Sequence, residues 1–180
     1  MNRAVLAVLL VAIADPVLAQ DHQPYAGMQH RAVKALSNEQ IADLRAGRGM
    51  GLALAAELNG YPGPVHVLEH AEALGLSPEQ EARTKQLHEE MQQQAIPLGE
   101  RLVEQETELD RLFATGEITP ERLSALTQEI GLTQAELRNT HLKYHLTMMD
   151  VLSAEQVSLY RELRGYAAQH GGGQQHQPHQ

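Results

Sequence analysis

Ser77-Pro78-Glu79-Gln80 and Thr119-Pro120-Glu121 each open a helix, and Thr115-Gly116-Glu117-Ile118 stands between the two. In each opening the Ser or Thr oxygen can accept a bond from an orphan N–H. The proline takes the first helical position, where no N–H is needed. The first helix runs from Ser77 to about Thr115, and the second from Thr119 to about Leu152. The short connection carries a glycine suited to a helix end and forces the arms antiparallel. At ~1.5 Å per residue such arms reach on the order of 50 Å. The predicted class is all-α: an elongated antiparallel helical hairpin.

Working outward, Leu87, Met91, Gln94, Leu98, Leu102, Gln105, Leu109 and Leu112 alternate three- and four-residue steps along the first arm. Leu123, Leu126, Ile130, Thr133, Leu137, His141, Tyr144, Met148 and Val151 form the matching stripe on the second. Such stripes make a heptad-like seam. Pro97 lies inside the first stripe and should bend or locally break its helix. Short helices are expected from Ser37, within Leu52 to Leu58, from Pro64 to Leu74, and from Ser153 to near Gly165. Two helices bury only one face each. The short helices should therefore fold back on the open end, and a homodimer would cover the rest.

Composition narrows the class further. Aromatic residues make up 3% of the 180 residues, so the core must rest on Leu, Ile, Val, Met and Ala, which favours helices. There is no Cys, which excludes disulfides, thiolate metal sites and Cys nucleophiles. A net charge of −9 argues against nucleic acid as a partner. Residues 1–19 look like a cleavable export signal: Arg3, an apolar Ala4 to Ala14, then Val17-Leu18-Ala19 before Gln20. The apolar run is shorter than the ~20 residues a bilayer span needs. The expected location is the periplasm, with an uncleaved anchor as the alternative. Residues 20–35 read as a disordered linker, 36–168 as the helical domain, and 169–180 as a disordered His, Gln and Gly tail.

One motif recurs three times: Leu-Ser-x-Glu-Gln at Leu36–Gln40, Leu76–Gln80 and Leu152–Gln156. Each is a capping box, in which Ser caps the N–H three residues on and Gln reaches back. Three copies around a long hairpin in an exported, Cys-free chain resemble the LTxxQ family of periplasmic proteins, with Ser in the Thr position. That family includes the envelope-stress chaperones Spy and CpxP, the zinc-resistance-associated protein and periplasmic heavy-metal sensors. The stretch His141-Leu142-Lys143-Tyr144-His145 ahead of the last motif also looks like the heavy-metal-resistance branch, and the likeness extends over roughly Gly49 to Tyr166.

The chain has 10 histidines. His66 and His70 are four apart, as are His141 and His145, and His145 and Met149 repeat the spacing. Four residues is one helical turn, so each pair projects to one side and can grip one ion. If the hairpin turn centres near Glu117, position 145 lies level with about 89, which brings His88, Glu89 and Glu90 near His145. A mixed N/O site with Met149 adding a thioether would suit zinc, copper, nickel or cobalt. The metal-sensor branch resembles this arrangement, with His-x-x-x-His on an early helix, Glu on the first arm and His-x-x-x-Met on the second. The resemblance thereby implies His66, His70, His145 and Met149 as ligands, with Glu89 or Glu90 as the carboxylate. A plainer reading makes His141 a core histidine bonded to a neighbour such as Gln94, and His88 solvated surface. The tail residues His170, His176 and His179 could scavenge metal without fixed geometry.

Catalytic signatures are missing: the chain has no G-x-S-x-G and no H-E-x-x-H, and no strand signal precedes the glycines of Gly47 to Gly51. The expectation is a non-enzymatic protein that binds a divalent transition metal through helix-borne histidines, in heavy-metal sensing, resistance or envelope stress. The alternative is an ATP-independent holdase whose apolar cradle holds unfolded envelope proteins, although this chain is acidic where the related cradles are positive. A third is a partner of a membrane-bound sensor or regulator.

Overall fold

The computed structural model describes residues 25–166. A short 3-10 turn at Met28–His30 is followed by six helices: α1 (Asn38–Arg45), α2 (Leu54–Glu57), α3 (Pro64–Glu69), α4 (Pro78–Thr115), α5 (Pro120–Val151) and α6 (Ala154–Leu163). Among the described residues there is no strand, only an isolated bridge between Val33 and Leu36. The expected export signal and the expected tail lie outside the described residues.

The hairpin is α4 and α5, of 38 and 32 residues. Its boundaries follow the capping residues. Ser77 accepts from Gln80 N, and Thr119 accepts from Arg122 N. At the turn Gly116 adopts φ 70°, a left-handed conformation open to glycine, and Glu117 N–H donates to the Leu112 carbonyl at 3.0 Å. Arg111 ties the corner by pairing with both Glu108 and Glu117.

Two clusters fill the seam. Near the open end Val67, Leu74, Leu87, Met91, Tyr144, Met148, Leu152 and Tyr160 pack together. Further along, Leu44, Ala95, Leu102, Val103, Ile130 and Leu137 form the second cluster. Burying a side chain such as Leu87 contributes roughly 1.5–3 kcal/mol, so these clusters hold the arms. Toward the turn the cover thins, and Phe113 and Leu123 are exposed.

Three local expectations are revised. Of the bend or break expected at Pro97, the break is not formed: α4 runs as one helix through it. The proline leaves the Gln93 carbonyl without its partner, yet α1 packs on this stretch so closely that packing overrides the local preference. At Gly99 an added Cβ would lie 2.3 Å from the Leu44 carbonyl oxygen. Second, α3 ends at Glu69, and turns lead from there to Gly75 rather than helix to Leu74. Third, the segment before Ser37 is tied to the domain: Val33 is buried, and Lys34 pairs with Asp110 at 2.9 Å.

All three Leu-Ser-x-Glu-Gln copies form complete capping boxes. Two of them also join each other. Gln80 Nε2 donates to Gln156 Oε1 at 2.8 Å and to the Val151 carbonyl at 2.9 Å. Gln156 Nε2 donates back to Gln80 Oε1 at 3.0 Å and to the Leu74 carbonyl at 3.3 Å. Each amide oxygen meanwhile accepts from its own cap N–H. The motif glutamine thus starts its own helix and clamps α4 to α6.

Two stability predictions follow from this packing. Gly99→Ala should lower stability by about 1–3 kcal/mol through overpacking. Gly131→Ala, where an added Cβ meets nothing within 4 Å, should raise it by roughly 0.5–1 kcal/mol by stiffening the helix. Urea midpoints of the two variants would show whether they move in opposite directions. For the clamp, Gln80→Ala and Gln156→Ala should each cost about 1–3 kcal/mol. The double variant should fall short of their sum by on the order of 0.5–3 kcal/mol, and strict additivity would contradict the clamp.

Candidate metal centre

One cavity of about 380 Å³ collects chemistry from segments far apart in the chain. Its walls come from the Gly47–Leu54 stretch, α3, α4, α5 and the residues after α6. His66, His88, His141 and His145 all line it, together with Glu57, Glu69 and Met91.

His145 is the most firmly placed. It is 7% exposed, and its Nδ1 lies 2.7 Å from the Tyr61 carbonyl. A carbonyl only accepts, so Nδ1 donates to it, and Nε2 is the ring nitrogen left for another partner. The Tyr61-Pro62-Gly63-Pro64 turn makes this possible: both prolines are buried, and an added Cβ at Gly63 would stand 2.8 Å from the ring.

His141, one turn earlier on α5, is 3% exposed, and its Nε2 is buried with no hydrogen-bond partner. Burial first, and the neighbouring His145 second, push its pKa down from the ordinary 6.5 to about 4. The ring is therefore a neutral imidazole at physiological pH. The Gly49 backbone lies over it, where an added Cβ would sit 3.6 Å from Nδ1. Gln94 does not bond it; its amide donates instead to the Tyr144 hydroxyl at 2.7 Å.

Below the histidines sits a buried carboxylate that the sequence reading missed. Glu57, 5% exposed, accepts from Tyr160 Oη at 2.5 Å and from Arg164 Nε at 3.1 Å. Burial and the adjacent Glu57 raise the Tyr160 phenol well above the ordinary tyrosine range. Glu57 Oε2 is buried without a hydrogen bond, 3.7 Å from His145 Nδ1. The available signal was one charged residue inside the apolar run Leu52 to Leu58. Glu69, also missed, holds His66 Nδ1 at 2.9 Å, and that bond lowers the Glu69 pKa.

His70, Glu89 and Met149 do not reach the cavity. α3 stops at Glu69, and His70 falls at its C-cap with φ −110°. Glu89 follows His88 by about 100° around α4 and is exposed. On α5 the buried stripe steps from His145 to Met148, which leaves Met149 38% exposed. Among the described residues, no three His, Cys, Asp or Glu side chains converge closely enough to hold one ion. The donor types fit a transition metal, and so does the orphaned His141 nitrogen. A ready-made cage of charged and imidazole ligands is not formed.

The family model for heavy-metal resistance matches residues 50–158, well over half of the chain. The chain belongs to that family, and its function is related to heavy-metal resistance. No curated protein and no solved structure matches it. Among the described residues no helix is long and apolar enough to cross a membrane.

The buried neutral imidazole has a pH signature. His141 stays unprotonated in the fold while the unfolded chain takes up a proton near 6.5. Its stabilising effect is therefore complete above that value and lost as pH falls toward 4. The loss should reach up to about 3 kcal/mol. His141→Leu should show a shallower decline in denaturant midpoint between pH 7 and pH 4.5 than the unaltered protein. Equal declines would contradict the placement of the ring.

Proposed function

We propose that this protein is a non-enzymatic, periplasmic metal-binding member of its family, taking one transition-metal ion per chain in metal sensing or resistance. The observation that carries this reading is the cavity itself, which four imidazoles from three helices line, with His141 Nε2 unpartnered. His145 Nε2 and His141 Nε2 supply the fixed half of the site. His88, half-buried on α4, and His66, half-buried on α3 and bonded to Glu69, line the same cavity and would complete the site by turning toward them. An ion bound there joins α3 to the hairpin and biases the shape offered to a partner, such as a second copy or a membrane-bound regulator.

A second reading is a holdase for unfolded envelope proteins. It is favoured by large apolar side chains left in solvent, including Leu58, Phe113, Leu132 and Leu146.

The metal reading is tested in the full chain with His170→Gln, His176→Gln and His179→Gln, which silences the tail. Calorimetry with zinc, nickel, cobalt and copper in both oxidation states should give one site tighter than ~100 μM. Adding His145→Gln should abolish it. If none of these ions binds more tightly than that, the proposal fails.

A further inference from the structure

We infer that the cavity is built for a soft, monovalent d10 ion, copper(I) or silver(I), held by His141, His145 and the thioether of Met91. The inference rests on the reading that this cavity takes a metal, and it narrows the class of ion. Zinc and its divalent neighbours want about four donors, three or four of them from the protein. Among the described residues no three His, Cys, Asp or Glu groups converge here. A soft monovalent ion is satisfied by two or three donors, and imidazole and thioether are the types it prefers.

The wall composition agrees. Met91 is 7% exposed and lines the cavity. Met50 lines it too, from a glycine-flanked turn where its φ is 44°. Neither methionine was singled out by helical spacing to the histidines. The charged groups in the wall each have a polar partner. Glu57 is paired with Arg164, Glu69 with His66, and Arg48 with Asp43. The desolvation penalty of an ion rises with the square of its charge, so a monovalent ion enters so closed a wall at lower cost than a divalent one. Two donors are held in place. His145 is tied through Nδ1 to the Tyr61 carbonyl, the outer bond typical of a ligating histidine. His141 is buried and leaves Nε2 unbonded.

The test uses the tail-silenced full chain, with silver(I) in chloride-free buffer as a redox-inert probe and zinc(II) in parallel. One silver(I) should bind per chain, at least 100-fold more tightly than zinc(II). Met91→Leu, a near-isosteric change, should weaken silver(I) at least tenfold and leave zinc(II) unchanged. Met149→Leu should alter neither. In the unsubstituted chain with methyl-labelled methionine, the Met91 signal should shift on silver(I) addition. The inference is overturned if zinc(II) binds the tighter, or if a folded Met91→Leu chain keeps full silver(I) affinity and the Met91 signal stays in place. Zinc(II) bound through His145 but not displaced by silver(I) would sink this inference alone. Silence from both ions and from copper would sink the metal reading with it.

Discussion

Gln80 and Gln156 hold the open end of the hairpin together through a reciprocal pair of amide bonds, and the cavity depends on that closure. Each glutamine also completes the cap of its own helix, so one side chain decides both where a helix starts and where it docks. The clamp joins the first turn of α6 to the first turn of α4. Tyr160, further along α6, is buried completely. The buried phenol and Arg164 then hold Glu57, which fixes α2 and the Tyr61 turn beneath His145. Remove the amide pair, and four carbonyl and amide groups lose partners in a partly buried place. The strength of such a network comes from its completeness, since an amide left dry and unpaired costs more than a paired one contributes.

The hairpin was legible in the sequence because its determinants are local. Ser77, Pro78, Thr119 and Pro120 set the helix starts, Gly116 sets the turn, and the stripe from Ile130 through Leu137 to Met148 lies where the spacing put it. The site was legible only in part, and the boundary is physical. His66, His88, His141 and His145 face one cavity, because helix periodicity and hairpin register predict faces and levels. His70 and Met149 were misplaced by the same periodicity. One lies past the end of a helix shorter than expected, and the other loses to an i+3 neighbour for the inward position. Glu57 was passed over because it forms no pair with a histidine at helical spacing; its role arises from Tyr160 and Arg164 at the far end of the chain, which no period encodes. Glu69 stands three residues after His66, so its contact within α3 was open to the periodicity and was not drawn from it.

The family match and the cavity bear on each other. The match covers residues 50–158 and so includes Glu57, the four lining histidines and Met91. Arg164 and Tyr166, which close one wall, fall beyond it. The glycine-rich stretch that covers His141 begins just ahead of it. The chemistry of the walls is thus carried by the part of the chain shared with its family, and parts of the enclosure come from outside the match.

Gly63 bears on how such sites are found. A methyl group at that position would strike the His145 ring, so the ring keeps its bond to the Tyr61 carbonyl because a side chain is missing. An inventory of donor atoms would never include a residue that has none. In this fold the empty position is as much a determinant of imidazole orientation as the bond it permits. A designer transplanting the two α5 histidines onto another hairpin would need to carry over that vacancy along with them.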